Sequence, residues 1–205
     1  MAAEHSVELI GGDISRSPDK LVIDSVVVGE VSKGRAVLRS TAKPGDLIYV
    51  SGSLGGAAGG LVLLENGVDG EITARQLKPE PRNELALKLA VHKIPTAMID
   101  LSDGLSADLA HICAASNVGA KVFSERIPID ANLEINGFDA DTSLDLALSG
   151  GEDLELLFTA DRSNAAKLAE FDVTMVGEIT ETAGKIELIV AAGTSVLEPK
   201  GFRHF

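Results

Sequence analysis

Ile99-Asp100-Leu101-Ser102-Asp103-Gly104 is the stretch around which the chain organises. The apolar run Ala97-Met98-Ile99 leads into it, and the helical pattern Leu105-Ser106-Ala107-Asp108-Leu109-Ala110-His111-Ile112 leads out. This reads as a buried strand turning into a helix. Asp100 and Asp103 then arrive together at a helix N-terminus, where N–H groups lack intrahelical partners and the dipole is positive. Ser102 and Asp103 are good N-cap types, and Gly104 allows a close turn. Two carboxylates, a hydroxyl and spare N–H donors would seat Mg²⁺ and phosphate oxygens. A plain helix cap with a spare solvated carboxylate is the competing reading.

Outward from this turn, apolar and polar stretches alternate without internal repeat. Leu47-Ile48-Tyr49-Val50-Ser51-Gly52 reads as a buried strand, and 119–123, 154–159, 173–179 and 185–190 read as strands. Leu21 to Val31 is rich in β-branched residues and predicts another. Helices are expected over 79–92, 105–116, 143–148 and 162–170, with a polar link at 66–79 and a loop holding a short helix at 128–140. The expected fold class is α/β (α+β), a mixed sheet with packed helices.

Composition narrows the chemistry. The 205 residues carry a net charge of −13, which repels nucleic acid and anionic lipid. Phosphate substrates would be repelled too, unless a metal ion reverses the sign locally. Aromatic residues make up 3% of the chain, with no Trp, so the core must be aliphatic. Cys113 is the only cysteine, set in a helical pattern, and reads as a buried, inert thiol. The N-terminus has no signal-peptide core and no run is long enough to span a membrane, so a soluble cytoplasmic protein is expected.

Several site classes fail on spacing. The four histidines show no metal spacing, and no Gly-x-Ser-x-Gly elbow is present. The glycines of Gly55-Gly56-Ala57-Ala58-Gly59-Gly60 fit neither a dinucleotide fingerprint nor a Walker loop; close helix packing is the better account. What remains are oxygen ligands (Asp13, Asp100, Asp103), an arginine candidate (Arg39, which shares a face with Arg35 if that segment is helical) and three Gly-rich turns, two of them Gly-Gly-acid, at Gly11-Gly12-Asp13 and Gly150-Gly151-Glu152. Mg²⁺-dependent phosphate chemistry uses those types.

Five segments in order resemble thiamine-monophosphate kinases: Leu9-Ile10-Gly11-Gly12-Asp13; Gly34 to Val50; Ile99 to Leu105; Ala147-Leu148-Ser149-Gly150-Gly151-Glu152-Asp153; and Gly201-Phe202-Arg203-His204-Phe205. The resemblance implies the two-domain fold of aminoimidazole ribonucleotide synthetase. Residues 1–42 would be the end of the ATP-binding domain and 43–205 the C-terminal domain. It implies transfer of the ATP γ-phosphoryl group to thiamine monophosphate, giving thiamine diphosphate, with Mg²⁺ required. Gly12, Asp13, Arg39 and Ser102 would contact ATP; Asp13, Asp100 and Asp103 would hold Mg²⁺; Glu152 and Phe202 would meet the cationic substrate. The attacking phosphate oxygen is already anionic, so no catalytic base is expected. The family is homodimeric.

Departures from the pattern are clear. Roughly a hundred residues that precede the Gly-Gly-Asp turn in the family, a length ordinary for one domain, are missing here. They would carry further metal ligands, so the chain reads as N-terminally truncated. Leu154 stands where an aromatic is common, and Ser15 and Ser17 depart from the usual turn. The alternatives are an inactive or partner-dependent fragment that binds nucleotide or thiamine phosphate, or a related ATP-using synthetase such as selenophosphate synthetase.

Overall fold

Leu47–Ser51 and Leu156–Ala160 carry no polar alternation, and both are buried along their whole length. Such strands need cover on both faces and belong in the middle of a sheet between two layers. The computed structural model, which describes residues 2–201, puts them there.

The chain divides into two compact units, Met1–Ala36 and Val37–Phe205. In the first, a 3-10 turn at Ala2–His5 is the only regular element among the described residues. The strand expected over 21–31 does not form. Val22, Val26 and Val28 are all more than 70% exposed. A strand is held by a neighbour that takes its N–H and C=O groups, and within this unit no segment pairs with 21–31.

The second unit carries β1 (Leu47–Ser51), α1 (Gly56–Glu65), α2 (Glu71–Leu77), α3 (Asn83–Val91), β2 (Pro95–Asp100), α4 (Leu105–Ser116), β3 (Gly119–Phe123), α5 (Ala131–Ile135), α6 (Ala140–Ser149), β4 (Leu156–Ala160), α7 (Ala165–Leu168), β5 (Val173–Thr180), β6 (Ile186–Val190) and β7 (Gly193–Val196). The strands form one sheet in the order β2-β4-β1-β5-β3-β6-β7. All neighbours are antiparallel except β3 and β6. This is the mixed α/β layered sheet expected from the sequence.

Alternation along the central strands divides the core. Ile48, Val50, Leu157 and Val122 pack with Leu105, Leu109 and Ile112 of α4 and with Ala147 and Leu148 of α6. Leu47, Tyr49, Leu156 and Phe158 pack with Leu89 of α3 and Leu168 of α7. Tyr49 and Phe158 face each other in register, their rings stacked at 5.4 Å.

The stretch at 66–79 is not a plain polar link, because it holds α2. Close packing explains that helix. A Cβ on Gly60 of α1 would stand 2.6 Å from the Ile72 carbonyl oxygen, and one on Gly59 would stand 2.2 Å from a Leu133 methyl. The glycine run therefore brings α2 and α5 against α1, as helix-packing residues should. Strand β4 begins at Leu156 rather than 154, since Leu154 holds a left-handed φ of 51° that ends pairing. Among the described residues no helix is long and apolar enough to cross a membrane.

Candidate functional site

Strand β2 ends at Asp100, whose side chain is exposed, paired in register with Leu156. Leu101 is buried beneath the turn, and Ser102 and Asp103 are partly exposed above it. The N-cap of α4 is Gly104, at φ 114°, rather than Ser102 or Asp103, and no side chain caps it. The three N–H groups that lead up to the helix are instead taken by a side chain from inside it. Asp108 lies one turn on, 1% exposed, and its Oδ2 accepts the N–H groups of Ser102, Asp103 and Gly104 at 3.0, 3.0 and 3.1 Å. Burial pushes the Asp108 carboxyl above its ordinary pKa, and the three N–H donors oppose that rise.

The turn's own N–H groups at Ser102, Asp103 and Gly104 are thus not spare, while Asp100 is exposed and Asp103 partly so. An anion would meet Asp100 and Asp103 with those donors already engaged, so the surface suits a hard cation. Asp103 also approaches His111, Oδ2 to Nε2 3.9 Å, and ligand atoms of Asp103, Asp108 and His111 lie within 4.8 Å of one another.

The second Gly-Gly-acid turn is laced to the first by backbone. Leu101 N–H donates to Glu155 O at 2.8 Å, Leu154 N–H to Leu101 O at 2.9 Å, and Glu152 N–H to Ser102 O at 2.9 Å. Only glycine permits this approach at Gly151. Its φ is 71°, and a Cβ there would stand 2.7 Å from Ser102 O. Glu152, also left-handed at 61°, exposes its side chain beside the Asp turn. Asp153 points inward, accepting Gly55 N–H at 2.7 Å and Ala57 N–H at 3.1 Å where α1 begins.

The tail comes to the same place. Ser106 Oγ donates to Lys200 O at 2.6 Å and accepts Lys200 N–H at 3.1 Å. A Cβ on Gly201 would stand 2.6 Å from Asp103 O. The structure thus gathers Asp100, Ser102, Asp103, Glu152 and the approach to the C-terminus. Phe202, named with them from sequence, lies outside the described residues.

Arg39 is tied to β2 by its own peptide, since the Leu38 carbonyl accepts Met98 N–H at 3.2 Å, two residues before Asp100. The Arg39 carbonyl accepts Ser116 Oγ at 2.9 Å at the C-terminal end of α4. That end is about 18 Å from the Asp turn by helical rise. Gly12 and Asp13 belong to the first unit. There Asp13 Oδ1 accepts Ile14 N–H at 2.8 Å and Oδ2 accepts the Ser15 hydroxyl at 3.2 Å. The sequence reading missed Asp108, although its spacing four residues beyond Gly104 was a usable local signal.

Residues 43–190 match the family described as AIR synthase related protein, C-terminal domain. The chain is 38% identical over 98% of its length to the thiamine-monophosphate kinase of Buchnera aphidicola subsp. Acyrthosiphon pisum, covering 65% of that protein. The thiamine-monophosphate kinase structure from Stenotrophomonas maltophilia K279a superposes at a TM-score of 0.71 with 36% identity, over 80% of this chain and 56% of that one. AaThiL complexed with AMPPCP and TMP superposes at 0.70 with 32% identity, over 82% and 54%. The resemblance carried by the ordered motifs is therefore upheld, while the chain spans about two-thirds of the curated relative's length. The fold, its matched residues and its relatives agree that the chain belongs to the AIR synthase related proteins through their C-terminal domain.

Proposed function

We propose that this chain acts in the ATP- and Mg²⁺-dependent phosphorylation of thiamine monophosphate to thiamine diphosphate. One observation carries the reading. The Asp100–Gly104 turn carries two carboxylates at the surface while Asp108 takes the N–H groups of Ser102, Asp103 and Gly104, which favours receiving phosphate there through a cation. Its relatives' names and the AMPPCP and TMP complex of AaThiL supply the substrates.

In this reading Asp100 and Asp103, with Asp13, hold Mg²⁺. Their all-oxygen donor set and their exposure fit that ion. When bound, Mg²⁺ offsets the charge of the phosphate oxygens. Gly12, Asp13, Arg39 and Ser102 contact ATP. Glu152, exposed beside the turn, and Phe202 meet the cationic substrate. No side chain need act as base, because the attacking phosphate oxygen is already anionic; positioning for in-line transfer is what the protein supplies. ATP and Mg²⁺ as co-substrate and cofactor suit a cytoplasmic setting. Residues 43–205 form the AIR synthase-type domain and 1–42 belong to the ATP-binding part.

The test is calorimetric titration with MgAMPPCP, alongside an assay for thiamine diphosphate from thiamine monophosphate and MgATP. Binding should require Mg²⁺ and weaken about 10- to 100-fold in Asp103→Asn, the scale of metal-site losses. Nucleotide binding indifferent to Mg²⁺ and to this substitution would sink the proposal.

A further inference from the structure

Asp108 is a costly residue in its position. A buried carboxylate forgoes several kcal/mol of hydration, and a helix packed on a sheet would be served as well by an apolar side chain. What the carboxylate adds is a single point on which three consecutive N–H groups converge. The opposite sides of the same peptides are bonded too. Leu101 O accepts Leu154 N–H, and Ser102 O accepts Glu152 N–H. Both peptide planes flanking Ser102 therefore have donor and acceptor engaged, the donors by Asp108 and the acceptors by the second Gly-Gly turn. With those planes fixed, the directions in which Ser102 and Asp103 project are fixed as well.

We infer that Asp108 is a positioning residue for the reaction proposed above: it holds the Ser102–Gly104 backbone so that Asp103 and Ser102 face the metal-bound nucleotide. The inference rests on that functional reading. It is distinct from a role for Asp108 as a metal ligand, which its closeness to Asp103 and His111 would also allow. The hydrogen-bond pattern separates the two. All three donors converge on Oδ2 alone, so an asparagine oxygen can replace it, whereas a direct ligand would lose its negative charge.

The experiment compares Asp108→Ala and Asp108→Asn with the wild-type chain by site-resolved amide exchange without nucleotide and by MgAMPPCP titration. In the alanine variant exchange should quicken at Ser102, Asp103 and Gly104 while the β1 and β4 amides keep their protection. Global destabilisation would instead speed all of them. MgAMPPCP affinity should fall about 10- to 100-fold, as when a residue that orients a metal ligand is lost. Asparagine should restore both readouts to near wild type. A folded alanine variant with wild-type affinity overturns the role, and so does an asparagine variant as weak as alanine. If alanine does not fold, the asparagine result decides alone: retention supports the role and loss overturns it. Failure of the wild-type chain to bind MgAMPPCP would overturn the kinase reading and this role together; wild-type binding with either adverse variant result overturns only the role.

Discussion

Asp153 is a buried carboxylate of a different kind from Asp108. It splits its donors, Gly55 N–H going to Oδ2 and Ala57 N–H to Oδ1. An asparagine there must set its NH₂ against one of two N–H groups. Asp153→Asn should therefore destabilise the fold by about 1–3 kcal/mol, the cost of a buried donor left without an acceptor. Chemical denaturation would check this, and an unchanged midpoint would show that α1 does not depend on the bond. Cys113 gives a second test. Burial pushes its thiol up to about 11, which leaves roughly a thousandth as thiolate at pH 8. Iodoacetamide should modify it slowly in the native chain and rapidly in denaturant; fast native labelling would contradict its burial. The buried thiol was legible in sequence because Cys113 sits in an apolar helical pattern. The role of Asp153 was not, because its partners lie 96 and 98 residues away.

Elements were readable where burial acts on every residue. The largely apolar runs of β1 and β4 announce strands, and the α4 pattern announces a helix. Helix α2 was hidden because its stability comes from a neighbour, the glycine face of α1 pressing on Ile72, rather than from its own periodicity. The 21–31 run shows the reverse: strong β propensity without a partner makes no strand. The tail is likewise decided by a neighbour. Lys200 is held by both bonds to Ser106 Oγ, and Gly201 fits because a Cβ would meet Asp103 O at 2.6 Å and the Ala107 methyl at 2.8 Å. Ser106→Ala and Gly201→Ala should each loosen this strap without unfolding the sheet. Losing two bonds should raise tryptic cleavage after Lys200 about tenfold in the serine variant. Equal cleavage rates in variant and wild type would show that the tail is held by something else.

Across the whole molecule, the segments that flank the site are tied together by one buried charge. Glu155, 0% exposed, accepts Arg82 Nε at 2.7 Å and Nη2 at 2.6 Å, a two-pronged fork, with Arg75 at 3.4 Å. The Ser51 hydroxyl donates to the same carboxylate. The end of β1, helix α2, the start of α3 and the entry to β4 thus meet on two oxygens. Gly52 passes beside them with φ 54°, where a Cβ would stand 2.3 Å from Oε1. No sequence pattern announces this junction, since its members are scattered over 104 residues and each charge alone reads as solvated surface. Breaking it should be costly because the burial that hides Glu155 also removes the water that would replace it. Glu155→Gln puts an NH₂ where the Arg82 fork or the Ser51 hydroxyl now donates. Glu155→Ala removes the fork altogether, leaving Arg82 its 3.7 Å approach to Glu80 and Arg75 its bond to Ser53 O and its 3.7 Å approach to Asp130. Breaking a buried pair costs about 3–5 kcal/mol, and the low end applies here because Arg75 and Arg82 stay 24% and 27% exposed and can rehydrate. Urea unfolding at constant m-value should therefore show a loss near 3 kcal/mol for either variant. The loss should persist in high salt, where exposed ion pairs are screened and buried ones are not. A loss that vanishes with added salt would place Glu155 in contact with solvent and undo its role as the junction.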